Sequence, residues 1–142
     1  MLLRPRSDFF ALSIRQPWAF LVVTAQKNLE LRTWGTNHRG PIVIHASRQV
    51  DEVAAAYFGF EIVSWPVGVA LGVVQIVDVL TLGRRELVRC QSSHRSWGPF
   101  THGMRGWVFS KQQVLANPVA MRGSKGLFPI PDEEVRQIVE QL

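Results

Sequence analysis

Apolar positions along this chain fall into short runs with two different periods. Phe9 to Ile14 is an apolar stretch ending at Arg15-Gln16, and it predicts a first strand. Pro17 then suits the first turn of a helix, where its missing N–H costs nothing, and Trp18 to Ala25 predicts a mostly buried helix. Leu29 to Trp34 alternates, so Leu29, Leu31 and Thr33 face one way and Glu30, Arg32 and Trp34 the other. Pro41 to Ala46 repeats that pattern, with Ile42, Ile44 and Ala46 opposite Val43 and His45. A short helix is expected over Val50 to Phe58. Val69 to Leu80 is apolar on both faces, as in a central strand, and Gly72 within it predicts a bulge or a close backbone approach. Residues 83–104 read as a polar surface excursion, and Gly106 to Ser110 as another strand with Trp107 and Phe109 on one face. Val135, Ile138, Val139 and Leu142 recur at helical spacing behind the acidic first turn Asp132, Glu133 and Glu134. The sum is a small α+β domain around a curled sheet or barrel.

Composition narrows the class. The 142 residues fit one domain, with 46% apolar and 19% charged residues, an ordinary globular balance. No apolar run is long enough to span a bilayer, and Met1 to Arg6 lacks an apolar signal core, so no membrane partner is expected. The single cysteine, Cys90, rules out an internal disulfide and fits a reducing cytoplasm. The net charge of +5 is carried mostly by arginine, whose planar donor fork suits phosphate-bearing partners. Cys90, His94 and His102 match no paired zinc motif, and there is no phosphate-cradling glycine loop or dinucleotide fingerprint. No metal or cofactor is expected.

The ordered set Ser13-Ile14-Arg15-Gln16-Pro17-Trp18-Ala19, Lys27-x-x-Glu30-x-Arg32-x-Trp34 and Arg39-Gly40-x-x-x-Ile44-His45-Ala46-Ser47 resembles the ASCH domain of the PUA-like superfamily. Gly72-x-Val74-x-Ile76-Val77-Asp78, Trp107-x-Phe109 and Lys125-Gly126-Leu127-Phe128 continue the likeness, which covers about residues 10–130. The chain is thus expected to be a single ASCH-like domain over residues 1–142, with a core over about 10–130 and, from the helical spacing, a helix over about 131–142. The resemblance implies a mostly antiparallel, curled β-barrel with flanking helices and a cleft beside the helix at 17–25. It also implies a link to RNA or modified nucleosides. Two departures stand out. The family's usual glycine two places before the lysine is Ala25 here, at a turn where glycine relieves positive-φ strain. Some small members that hydrolyse the amide of an acetylated cytidine nucleoside carry a threonine where this chain has Glu30.

Candidate chemistry concentrates in these motifs. Lys27, at the strand entry, suits a phosphate or a base carbonyl, and Glu30 suits a base's exocyclic amine. Arg32 reads as a partner of Glu30 or a phosphate ligand. Trp18 and Trp34 offer stacking faces. Ser13 and Gln16 sit at a strand-to-helix entry, His45 and Ser47 at a strand end, and Lys125 in a glycine-flanked loop, each a binding candidate. The leading expectation is a module that binds RNA, a nucleoside or a nucleotide in a cleft lined by these residues. The alternative is a hydrolase acting on a modified nucleoside or RNA, an amidohydrolase or ribonuclease, with Lys27 and Glu30 as catalytic acid and base.

Overall fold

The computed structural model describes residues 9–59, 65–83 and 103–142. In chain order the elements are β1 (Phe10–Gln16), α1 (Trp18–Val23), β2 (Leu29–Arg32), β3 (Gly40–Val50), α2 (Glu52–Tyr57), β4 (Val69–Thr81), β5 (Arg105–Ala120), β6 (Leu127–Pro129) and α3 (Asp132–Val139). The strands form one six-stranded sheet in the order β2-β5-β4-β3-β1-β6. Only the β1–β3 ladder is parallel; the others are antiparallel. This is the mostly antiparallel α+β sheet expected from the sequence.

Alternation along the strands builds two cores. Leu12 and Ile14 of β1, Ile42, Ile44 and Ala46 of β3, and Leu71, Val74 and Ile76 of β4 pack with α1 on one face. Ala11, Val43, Ala70, Leu115, Val119 and Phe128 pack with Val135 and Ile138 of α3 on the other. Burial on both faces explains why β4 reads as apolar from Val69 to Ile76, but not beyond, where Val77 and Leu80 are 48% and 40% exposed. Val139 and Leu142, expected on the packed face of the last helix, are 43% and 58% exposed; Val139 is the last residue of α3, and Leu142 lies past its end. Gly72 fulfils its expected role. A Cβ there would lie 2.5 Å from the Gln113 carbonyl oxygen and 2.6 Å from Val23 Cγ1, beside a register shift at Ala70/Gly72.

Two features differ from the sequence reading. The strand expected over Gly106 to Ser110 runs on to Ala120, with Lys111 at φ 51° inside it. Its second half is largely exposed, with only Leu115 and Val119 buried between Gln113 and Ala120, so it carries no clear alternation. The sheet, moreover, is not closed into a barrel: no ladder joins β2 to β1 or β6 among the described residues. It curls far enough for a side chain to cross the gap instead. Arg32 Nη2 on β2 donates to the Ser13 carbonyl on β1 at 2.6 Å. The ladder from β6 covers only Phe10 to Leu12, so among the described residues β1 beyond Leu12 has no strand on that side. The open seam between β1 and β2 is where the site forms.

Candidate nucleic-acid interface

Lys27 enters the seam from a tight corner. Ala25, where the sequence pointed to a positive-φ turn, has φ 62°. The corner closes with the Lys27 N–H on the Leu21 carbonyl, 2.9 Å away. Lys27 and Glu30 are both buried, 4% and 7% exposed, and Lys27 Nζ donates to Glu30 Oε1 at 2.7 Å. Arg32 Nη2 lies 3.1 Å from Glu30 Oε2. Burial pushes the Glu30 carboxyl upward, but Lys27 and then Arg32 outweigh it, and the group sits below the ordinary carboxylate range. Lys27 Nζ also lies 4.9 Å from the centroid of the Trp18 ring. Trp18 Nε1 donates to Asp51 Oδ2 at 2.9 Å, while Asp51 Oδ1 caps α2 by accepting from the Ala54 N–H. The bond from Trp18 is the main reason the Asp51 carboxyl is held low; burial opposes it, and the Ala54 N–H and Arg15 lower it further.

These groups line a cavity of about 410 Å³ made by Ser13, Ile14 and Arg15 of β1, Trp18, Lys27, Glu30, Leu31 and Arg32, with Ser47, Gln49, Asp51 and Met104 closing it. A second cavity, of about 670 Å³, shares Ser13 and Ser47 with the first. It adds His45, Arg48, Gly68 and the turn Ala120 to Ser124, so among the described residues two arginines and no carboxylate line it. The parallel register sets Ser13 beside His45, and Ser13 Oγ lies 2.7 Å from His45 Nδ1. His45 Nε2 lies 2.9 Å from the Met121 carbonyl oxygen. A carbonyl can only accept, so Nε2 carries the proton and Nδ1 accepts from the Ser13 hydroxyl. Burial lowers the His45 pKa; the Met121 bond opposes this and Arg48 adds to it, so the balance favours the neutral ring.

The structure thus gathers Ser13, Trp18, Lys27, Glu30, Arg32 and Ser47 at one cavity and Ser13, His45 and Ser47 at its neighbour. Three candidates fall outside both. Gln16 is fully buried and structural: its Oε1 accepts the Phe20 N–H of α1 and its Nε2 donates to the Pro66 carbonyl, each at 3.0 Å. Trp34 lies past the end of β2, packed edge-to-face on Trp107 at 4.9 Å, with its carbonyl accepting from Trp107 Nε1. Lys125 is exposed and lines neither cavity. Cys90, His94 and His102 lie outside the described residues. Among the described residues no group of three histidines, cysteines or carboxylates is placed to hold a metal ion, and no helix is long and apolar enough to cross a membrane.

A family model described as the ASCH domain matches residues 12–118, which spans the seam, the whole lining of the first cavity and half that of the second, whose turn Ala120 to Ser124 lies beyond the match. The chain belongs to the ASCH domain family. Over 84 residues it is 36% identical to activating signal cointegrator 1 of Homo sapiens, and the mouse protein of that name, from Mus musculus, matches to the same extent. Those matches cover 51% of this chain and 14% of either relative, so the ASCH domain corresponds to a small part of those proteins. Among solved structures, the ASCH protein of Zymomonas mobilis superposes with a TM-score of 0.64 over 96% of both chains at 15% identity, which establishes the fold. A mutant of that protein gives a TM-score of 0.62 over 96% of this chain and 97% of its own.

The residues that motif reading missed are Arg15, Arg48, Gln49, Asp51, Met104, Arg122, Gly123 and Ser124. Arg15 and Asp51 carried a local signal, since Arg15 lies within the first ASCH motif and Asp51 precedes a helix as a capping residue. The turn at Met121 to Ser124 carried none, because a contact from a distant turn brings it against β3.

Proposed function

We propose that this ASCH domain binds single-stranded nucleic acid, RNA foremost, with one base in the β1–β2 seam and the adjoining phosphate in the second cavity. The observation that supports this best is the adjacency of the two cavities, which share Ser13 and Ser47, one with an indole and mixed charges, the other with Arg48 and Arg122 as its charged groups among the described residues. The first cavity, at about 410 Å³, lies within the roughly 300–1,000 Å³ of ordinary small-ligand sites. In this reading Trp18 stacks on the base, held in orientation by Asp51. Glu30 accepts from an exocyclic amine. Arg32 Nε is buried with no hydrogen-bond partner among the described residues, and it supplies a donor for a ligand oxygen.

The hydrolase reading rests on Lys27 and Glu30 as acid and base. Glu30 is bridged by two cations and held below the usual carboxylate range, which makes it a weak base at neutral pH. That pairing favours binding over proton transfer at this couple.

The test is a thermal-shift screen of nucleosides and short single-stranded oligonucleotides, with mass spectrometry for turnover. Oligonucleotides are expected to raise Tm without product, and Trp18→Ala should weaken binding by about 1–3 kcal/mol, the usual worth of one stacked base. Absence of any shift at low salt overturns the proposal. Product release sensitive to Lys27→Ala replaces it with the hydrolase.

A further inference from the structure

The second cavity contains a hydroxyl–imidazole pair that nucleic-acid binding does not require. We propose that Ser13 is an activated nucleophile, with His45 as its general base, that takes an acyl group from an ester whose alcohol portion carries a phosphate.

Three observations meet at one atom. The Ser13 hydroxyl donates to His45 Nδ1 across 2.7 Å, and the bond from His45 Nε2 to the Met121 carbonyl fixes both the tautomer and the ring plane. Nucleophile, base and orienting group are therefore in order, with a backbone carbonyl in the orienting place. Gly123 then lies close beside the pair without covering it by a side chain. A Cβ at that position would lie 2.9 Å from Ser13 Oγ and 2.7 Å from His45 Cε1, so any side chain would press on the pair. Gly123 has no positive φ, so its smallness here is a matter of space rather than backbone conformation. Finally, the mouth carries Arg48 and Arg122. Guanidinium groups recognise a phosphate.

The step balances without a further reactant except water. As Ser13 Oγ bonds to the carbonyl carbon, its proton passes to His45 Nδ1 and the carbonyl oxygen becomes an oxyanion. The oxyanion collapses, the bond to the alcohol oxygen breaks, and the leaving alkoxide takes the proton from Nδ1. Water, deprotonated by His45, then releases the acid and restores Ser13. With a carbonyl instead of a carboxylate behind the imidazole, and Arg48 nearby, the imidazolium is weakly supported, so turnover is expected to be slow.

The experiment treats the full chain with a fluorophosphonate, which phosphonylates an activated serine with loss of fluoride, and locates the label by peptide mass spectrometry. Label at Ser13, absent in Ser13→Ala and reduced at least tenfold in Gly123→Ala, is expected. Ser13→Cys provides a second variant: iodoacetamide should alkylate its thiol faster than free cysteine at the same pH. No label on Ser13 and no acceleration at the cysteine overturn the proposal. The substrate class is read by comparing 3′-O-acetyl-AMP with 3′-O-acetyladenosine. A kcat/KM at least tenfold higher for the phosphorylated ester, lost in Arg48→Ala/Arg122→Ala, is expected; equal rates refute the phosphate requirement. The labelling probe has no base, so its outcome is independent of nucleic-acid binding.

Discussion

Replacing Lys27 by methionine isolates the charge at the centre of the seam. Methionine keeps the apolar stem and adapts to the space, but removes the ammonium 2.7 Å from Glu30. Taking one partner from a buried ion pair costs about 3–5 kcal/mol, mostly because the remaining charge stays desolvated. Arg32 still lies 3.1 Å from the other carboxylate oxygen, so the loss belongs at the low end, about 3 kcal/mol. The pH dependence gives an independent check. In the native chain the Glu30 pKa is below its unfolded value, so its contribution is present above about 4.5 and is lost as pH falls through the folded value. Removing Lys27 leaves burial opposed by Arg32 alone and raises the folded pKa. The gap between native chain and variant should then narrow as pH falls from 7 towards 4. Urea denaturation followed by tryptophan fluorescence at several pH values measures both. A loss under about 1 kcal/mol at pH 7, or a gap that widens with acid, refutes the buried-network reasoning. The double variant Lys27→Met/Glu30→Gln should be more stable than Lys27→Met alone, since it removes the stranded charge.

Two backbone predictions follow from the corner and the central strand. Ala25→Gly should stabilise the fold by about 1 kcal/mol, because the positive-φ cost to alanine exceeds the extra entropy glycine loses, and thermal denaturation would show it as a raised Tm. Gly72→Ala should destabilise by about 3 kcal/mol or prevent folding, since its Cβ would meet the Gln113 carbonyl and Val23; soluble yield and urea midpoint report it, and a native midpoint contradicts it.

Elements whose own residues carry the signal were legible in the sequence. The alternation in Ile42 to Ala46 separated the faces of β3, and Gly72 marked the close approach that the fold requires. The shared face of Glu30 and Arg32 was legible too, and it anticipated their ion pair. Trp34 fell on the same alternation but lies beyond the last ladder residue of β2, Arg32, and packs on Trp107. The long second half of β5 was hidden because exposed strand residues need no apolar period. The second cavity was hidden for a different reason. Ser13 and His45 are 32 residues apart, and His45 and Met121 are 76 apart, so only the sheet register and the Met121 turn bring them together.

The central claim is that one strand of nucleic acid crosses both cavities, with a phosphate on Arg48 and Arg122. Fluorescence anisotropy of a labelled single-stranded RNA, titrated across a salt series, tests it most directly. Each phosphate neutralised on a single strand contributes about −0.7 to the slope of log K against log salt. Salt-dependent binding is expected, with a slope shallower by about 1.4 in Arg48→Ala/Arg122→Ala, the worth of two contacts. No binding at low salt, or an unchanged slope in the double variant, would contradict it.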